Sequence, residues 1–204
     1  EKLINLAKAG KDIGIELFVM DDGWFGNKYP RDGGNSSLGD WEVCKKKLPD
    51  GIEGLLRSAR KHNIKFGIWI EPEMTNTKSE LFEKHPDWVM RIKNRPLSTG
   101  RGKTQVVLDL TNPEVQDFVF GVVDNLMTKY PEIAYMKWDD NSSLMDYGSS
   151  YLPKNKQSHL YIEYHRGLNK VLTRIRSKYP KLVMQACAGG GGRVNYGILP
   201  YFDE

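Results

Sequence analysis

Two hydrophobic periods alternate along the chain, and this alternation restricts the fold more than any other feature of the sequence. Apolar residues recur at helical spacing within 52–59, 115–126 and 168–175. Between such segments lie short, continuous apolar runs of the kind typical of strands buried on both faces. The runs cover residues 17–20, 66–70, 106–110, 133–138 and 182–186. This order predicts an α/β fold with a parallel sheet to which every run contributes a strand.

Polar residues gather where the predicted strands end: Asp21 and Asp22, Glu71 and Glu73, the segment 137–141, and Cys187 followed by glycines. A (β/α)₈ TIM barrel and a doubly wound sheet both place their sites at the carboxyl ends of strands. We favour the barrel because each of several strands contributes polar groups. A barrel takes about 250 residues, so this chain of 204 residues is expected to form only part of one.

The segment YMKWDDN at 135–141 carries the densest charge at a predicted strand end. Alternation along a strand places Lys137, Asp139 and Asn141 on one face and Trp138 and Asp140 on the other. A lysine beside an aspartate lowers the pKa of the carboxyl group, as a nucleophile or anionic stabiliser requires. The asparagine can orient a hydroxyl group or the carboxylate. The alternative is a salt-bridged strand end without a chemical role.

Other strand ends contain acids and aromatic residues. Asp21-Asp22-Gly23-Trp24 has the adjacent carboxylates and aromatic ring that are common in sugar sites, and the alternative is an aspartate that caps a turn. Glu71 and Glu73 form either a second acid pair or, slightly preferred, a rigid turn with one solvated glutamate. Trp41 is either a platform for a sugar ring or a cover for the core.

The glycine run after Cys187 does not match a phosphate-binding motif. Close approach of the backbone to a ligand, with Cys187 lining the site, is the better functional interpretation, and a flexible turn is the alternative.

Composition excludes several classes of function. Lys and Arg exceed Asp and Glu by 30 − 26 = 4 and are scattered, which does not favour nucleic-acid binding. No apolar run is long enough to span a bilayer. The 2 cysteines fit neither a disulfide framework nor a zinc spacing, and the histidines form no spaced ligand pair. We therefore expect no metal and no cofactor.

Taken together, the motifs resemble those of the α-galactosidases of glycoside hydrolase family 36, the melibiase type. The resemblance covers nearly the whole chain and rests on MDDGWF (20–25), GDW (39–41), EPEM (71–74), HPDW (85–88), QVVLDL (105–110), NPEV (112–115), MKWDDN (136–141) and CAGGGGR (187–193). It implies a (β/α)₈ barrel and a retaining hydrolase that removes terminal α-linked galactose from oligosaccharides such as melibiose and raffinose. It also implies a homo-oligomeric parent protein, and it leaves open whether that protein is cytoplasmic or exported.

The resemblance assigns roles to individual residues. Asp139 becomes the nucleophile, with Lys137 and Asn141 beside it, and Asp21 and Asp22 become the ligands of the galactose 4- and 6-hydroxyls. The expected lining of the galactose pocket includes Trp41, Cys187, Gly189 and Gly190. Lys103 stands where the family usually has an arginine, and Arg101 is the alternative for that contact.

The family's general acid/base is an aspartate in a strand end shortly after CAGGGGR, which places it beyond Glu204. Retaining hydrolysis needs two carboxyl groups about 5–5.5 Å apart. We therefore expect residues 1–204 to be part of the catalytic domain, about barrel strands 2 to 5, and to be inactive alone. Two alternatives stay open: a non-catalytic galactoside-binding remnant, and a divalent-metal barrel enzyme with Asp21, Glu71 and Asp139 as ligands.

Overall fold

The computed structural model of the chain describes residues 2–142 and 148–204. Its strands are β1 (Leu17–Met20), β2 (Lys65–Ile70), β3 (Met74–Asn76), β4 (Gln105–Val107), β5 (Ile133–Trp138) and β6 (Val183–Ala186). Its α-helices are α1 (Lys2–Asp12), α2 (Gly51–Lys61), α3 (Glu80–Lys84), α4 (Pro113–Lys129) and α5 (Leu160–Lys178). None of the helices described here has the length and apolar character that crossing a membrane requires.

The main sheet has four parallel strands in the order β1-β2-β5-β6. Its register aligns Met20 with Ile68, Ile68 with Met136, and Met136 with Met184. All four side chains are buried, as a parallel sheet covered by helices requires. The predicted α/β fold with a parallel sheet is confirmed.

The helices bury the faces that their periodicity indicates. The apolar stripe of α2 is Ile52, Leu55, Leu56 and Ala59, and α5 buries Leu168, Val171, Leu172 and Ile175. Asn112 caps α4 by accepting a hydrogen bond from the backbone N–H of Glu114 at 3.0 Å, and Pro113 follows as the first helical residue. Gly167 lets α5 pack closely against the backbone at Leu110, since a Cβ at residue 167 would lie 1.9 Å from the Leu110 oxygen.

The prediction that residues 106–110 form a strand of the parallel sheet is wrong. The chain leaves that sheet after β2 in a turn in which the N–H of Met74 bonds to the oxygen of Glu71 at 3.3 Å. β3 then pairs with β4 in an antiparallel, two-stranded sheet. β4 is buried throughout. The run at 106–110 therefore has the same continuous apolar pattern as a central parallel strand, and the hydrophobic pattern alone cannot distinguish the two.

The main sheet brings the carboxyl ends of its strands to one edge. The backbone N–H of Asp139 bonds to the oxygen of Ile70 at 2.8 Å, and the N–H of Cys187 bonds to the oxygen of Trp138 at 2.8 Å. The ladder therefore continues one residue past β5 and β6. Residues that follow three different strands meet here as neighbours.

Candidate active site

Asp139 lies at the centre of this edge and is 7% exposed. Its Oδ2 accepts hydrogen bonds from Trp69 Nε1 at 3.0 Å and from Asn141 Nδ2 at 2.7 Å. Its Oδ1 accepts the backbone N–H of Asp140 at 3.0 Å, and the Cys187 thiol adds another hydrogen bond. Burial alone would raise the pKa of Asp139, but these donors hold the pKa below its ordinary value. The side chain is therefore a charged carboxylate at neutral pH.

Lys137 lies on the same side of β5 as Asp139, and its side chain extends across the edge of the sheet to the end of β1. Its Nζ contacts Asp21 Oδ2 at 2.9 Å. Burial would lower the pKa of Lys137, but pairing with Asp21 raises the pKa above its ordinary value. Trp138, by contrast, donates its indole N–H to Glu73 on the other face. The alternation predicted for residues 137–139 is thus confirmed.

Asp22 is fixed by Arg31, a residue that carries no recognisable sequence signal. Arg31 donates from Nε to Asp22 Oδ1 and from Nη2 to Oδ2, each at 3.0 Å. Its Nη1 donates to the Ser36 oxygen at 2.9 Å and to Asn76 Oδ1 at 3.1 Å. The Arg31 side chain is 1% exposed and the Asp22 side chain 28%. The buried guanidinium therefore holds a partly exposed carboxylate in one orientation.

Trp69, which donates to Asp139, belongs to a group of four packed aromatic rings with Trp24, Phe25 and Trp41. Trp24 is buried, and its Nε1 donates to the Trp69 oxygen at 2.9 Å. The buried Trp24 ring of the DDGW motif is therefore part of the core in this structure. Trp41 is partly exposed and lies 6.2 Å from Trp69, centroid to centroid. Its indole nitrogen is buried and has no hydrogen-bond partner among the described residues.

A glycine turn follows β6 and leaves open space next to Cys187. Gly189 and Gly190 have φ angles of 55° and 95°, a region that favours glycine. The N–H of Ala188 closes the turn by bonding to the Gly190 oxygen at 2.8 Å. A Cβ added at Gly189 or Gly190 would meet no atom within 4 Å. The turn therefore exposes backbone rather than side chains at this position.

Lys103 and Arg101 are both exposed. Gly102 between them has a φ of 66°, and a Cβ there would lie 2.6 Å from the Gly34 oxygen. Among the described residues, neither Lys103 nor Arg101 forms a side-chain hydrogen bond or ion pair with Asp21, Asp22 or Asp139. The geometry does not bring these two cations into the Asp139 cluster.

Glu71 is fully buried, so the preferred interpretation of a turn with a solvated glutamate is wrong. Its Oε1 accepts hydrogen bonds from Gln105 Nε2 at 2.8 Å and from the backbone N–H of Asn141 at 2.7 Å. Burial, together with the nearby charge of Asp139, raises the pKa of Glu71 to about 7.

Glu73 is also buried and anchors a second cluster on the opposite face of β5. Arg193 contacts Glu73 Oε1 at 2.7 Å and Asp140 Oδ2 at 3.2 Å. Tyr164 of α5 donates its hydroxyl to Glu73 Oε2 at 2.6 Å, and Trp138 donates to Oε1 at 2.8 Å. Burial would raise the pKa of Glu73, but Arg193 holds the pKa below its ordinary value. The cluster ties the end of the glycine run to the end of β5.

The arrangement does not favour the metal-barrel alternative. The described residues contain no group of three or more His, Cys, Asp or Glu side chains placed to hold a metal ion. Of the three acids proposed as ligands, Asp21 is paired with Lys137, and Asp139 is occupied by neutral donors. A cation between them would compete with the ammonium group of Lys137.

Comparison with known proteins gives a consistent set of relatives. The family model described as Melibiase matches residues 1–204. The chain is 42% identical over 204 residues to "Alpha-galactosidase AgaA" of Geobacillus stearothermophilus, covering 100% of this chain and 27% of that protein. It is 40% identical over 201 residues to "Alpha-galactosidase Mel36A" of Lactobacillus acidophilus, covering 98% of this chain and 27% of that protein.

Solved structures agree with the sequence relatives. A variant of AgaA from Geobacillus stearothermophilus in complex with raffinose superimposes with a TM-score of 0.93 at 41% identity, covering 100% of this chain and 27% of that one. The α-galactosidase from Lactobacillus brevis gives a TM-score of 0.93 at 37% identity, covering 100% and 26%. The chain thus spans about a quarter of the length of the relatives it matches.

Proposed function

The chain belongs to the Melibiase family, and from this premise and the geometry around Asp139 we propose that the protein containing it is a retaining α-galactosidase. It hydrolyses terminal α-linked galactose from oligosaccharides of the melibiose and raffinose type. The observation that carries the proposal is the Asp139 carboxylate, kept ionised by directed donors at the carboxyl edge of a parallel sheet. Sites of α/β proteins lie at this edge.

Asp139 acts as the nucleophile of a double displacement. Its oxygen forms a bond to the anomeric carbon of galactose while the glycosidic C–O bond breaks, and the leaving oxygen takes a proton from a general acid. Water then hydrolyses the glycosyl ester, with the same acid acting as base. The hydrogen bonds from Trp69 and Asn141 orient the carboxylate for attack. The acid/base residue lies beyond Glu204 in this proposal.

The acids at the end of β1 bind the sugar. Asp21 and Asp22 accept hydrogen bonds from vicinal hydroxyl groups of galactose, and each carboxylate is held in place by its own cation, Lys137 and Arg31 respectively. The remaining proposed binding residues are Trp41, Lys103 or Arg101, Lys137, Asn141, Cys187, Gly189 and Gly190. The open space beside Gly189 and Gly190 supports a close approach of the ligand to the backbone.

The four parallel strands belong to a (β/α)₈ barrel, of which residues 1–204 supply about strands 2 to 5 as part of the catalytic domain. The coverage of 27% of AgaA supports this assignment. The last residues run beside β6, where the N–H of Asp203 bonds to the Met184 oxygen at 2.8 Å. We expect the full-length protein to assemble as a homo-oligomer and the isolated chain to have no turnover.

The test follows hydrolysis of a nitrophenyl α-galactoside and of raffinose by the full-length protein, with proton NMR of the first galactose released. A retaining enzyme releases the α-anomer first, whereas the β-anomer would contradict double displacement. Binding of galactose without hydrolysis would instead identify a non-catalytic binding protein. Chelator treatment should leave the rate unchanged, and turnover by residues 1–204 alone would contradict the assignment of the acid/base.

A further inference from the structure

The buried pair Glu71 and Gln105 contains two acceptor atoms without donors. Glu71 Oε1 accepts two hydrogen bonds, one of them from Gln105 Nε2. Glu71 Oε2 and Gln105 Oε1 are both buried and have no hydrogen-bond partner among the described residues. Both side chains are 0% exposed. The two unpaired oxygens therefore belong to side chains that already touch through their other polar atoms.

A proton on Glu71 would supply a donor that this pair lacks. An ionised carboxylate and an amide oxygen are acceptors only, so neither can satisfy the other. A protonated carboxyl group gains one O–H donor, and a carboxylic acid pairs with an amide through two parallel hydrogen bonds. In that pair the amide N–H donates to the acid carbonyl and the acid O–H donates to the amide oxygen. The first of these two bonds is already present at 2.8 Å.

We propose that Glu71 is a neutral carboxylic acid in the folded protein at mildly acidic pH, paired with Gln105, and that it then positions Asn141 beside Asp139 without adding a second negative charge. The effect of Glu71 on catalysis rests on the proposed function, whereas its protonation does not. Glu71 Oε1 accepts the backbone N–H of Asn141, and Asn141 Nδ2 donates to Asp139 Oδ2. Glu71 is thus a positioning residue that acts through Asn141.

The charges around Glu71 agree with a neutral acid. Among the residues that the structure describes, the charged group that acts on Glu71 is Asp139, after β5, whereas Gln105 on β4 and Asn141 present neutral amides. Burial and the charge of Asp139 raise the pKa of Glu71 to about 7. Ionisation of Glu71 would in turn raise the pKa of Asp139 by repulsion. A neutral Glu71 leaves Asp139 as the carboxylate that its own hydrogen bonds stabilise.

Thermal unfolding of the full-length protein tests the protonation without using activity. A carboxyl group whose pKa is raised by folding stabilises the protein below its unfolded pKa and loses that contribution as pH rises through the folded pKa. Glu71→Gln keeps the donor and acceptor pattern of the neutral acid but cannot ionise. The Tm of this variant minus that of the wild type should therefore become more positive between about pH 5 and pH 8, by about 1–2 °C.

The control is Glu42→Gln at an exposed position, where the Tm difference should not change with pH. A constant difference for Glu71→Gln would overturn the proposal, as would a difference that becomes more negative at high pH. Failure of Glu71→Gln to fold would also contradict it, because glutamine presents the hydrogen-bonding groups of the neutral acid.

Activity provides the second readout, as the ratio between two variants. Glu71→Ala removes the acceptor of the Asn141 N–H, whereas Glu71→Gln retains it, so kcat/KM should be at least about 30-fold lower for alanine than for glutamine. Equal kcat/KM values would refute the positioning role. If the wild type hydrolyses no α-galactoside, the proposed function fails, while the unfolding experiment still decides the protonation of Glu71.

Discussion

Replacing Arg193 with methionine tests whether the Glu73 cluster holds the glycine run against β5. The Arg193 side chain is 11% exposed and its partner Glu73 is 1% exposed. Methionine fills similar volume but removes the cation, which leaves Glu73 without its ion-pair partner and Asp140 without its nearest cation. Breaking a buried ion pair from one side destabilises a protein by about 3–5 kcal/mol, because the remaining charge stays buried and unpaired.

Hydrogen–deuterium exchange of the full-length protein measures this effect locally. If opening of this region limits exchange, a loss of about 3–5 kcal/mol accelerates exchange about 100-fold to several thousandfold. The affected peptides should be those covering β5 and residues 183–193, with little change in α1. The matched control is Arg166→Met, which removes an exposed pair with Glu163, 67% and 31% exposed, and which should change exchange little.

The effect of Arg193→Met should also depend on pH. In the wild type the pKa of Glu73 is held below its ordinary value by Arg193, so ionised Glu73 contributes stability above its unfolded pKa. In Arg193→Met, burial would raise the pKa of Glu73. Glu73 would then be neutral at low pH, and its ionisation would destabilise the fold as pH rises. The destabilisation should therefore be larger at about pH 8 than at about pH 5. Unchanged exchange in Arg193→Met at both pH values would refute the account of this cluster.

Two further predictions concern the proposed active site of the full-length protein. Arg31→Lys keeps the charge but loses the paired hydrogen bonds to Asp22. KM for an α-galactoside should therefore rise about 10- to 100-fold, and this change should exceed the fall in kcat. An unchanged KM would show that Asp22 does not need Arg31. Trp69→Phe removes the indole donor to Asp139, so the acidic limb of the pH profile of kcat/KM should move up by about one pH unit. An unchanged acidic limb would show that Trp69 does not lower the pKa of Asp139.

The sequence was sufficient for those features that depend on local pattern. Helical spacing located α2, α4 and α5, and alternation along β5 separated Lys137 and Asp139 from Trp138. These predictions succeeded because burial of a helix face or a strand face repeats with a fixed period. The period says nothing about which strand is the neighbour, and for that reason the run at 106–110 was assigned to the wrong sheet.

Contacts between segments far apart in the chain could not be predicted from the sequence. Glu71 and Asn141 are separated by 70 positions, and Glu73 and Arg193 by 120, so nothing local shows that both glutamates are buried and paired. Arg31 lies in a loop rich in glycine and serine, where a charged residue is usually solvated. Its burial against Asp22 follows only once β1 and that loop are placed together.

The central claim, that Asp139 is the nucleophile, is tested most directly by trapping the covalent intermediate. The full-length protein would be treated with a fluorinated galactosyl donor that slows hydrolysis of the glycosyl ester, then digested and analysed by peptide mass spectrometry. We expect one fluorogalactosyl group on the peptide that contains Asp139, and none after treatment of Asp139→Ala. Labelling of a different carboxylate in the wild type, or undiminished labelling of Asp139→Ala, would contradict it.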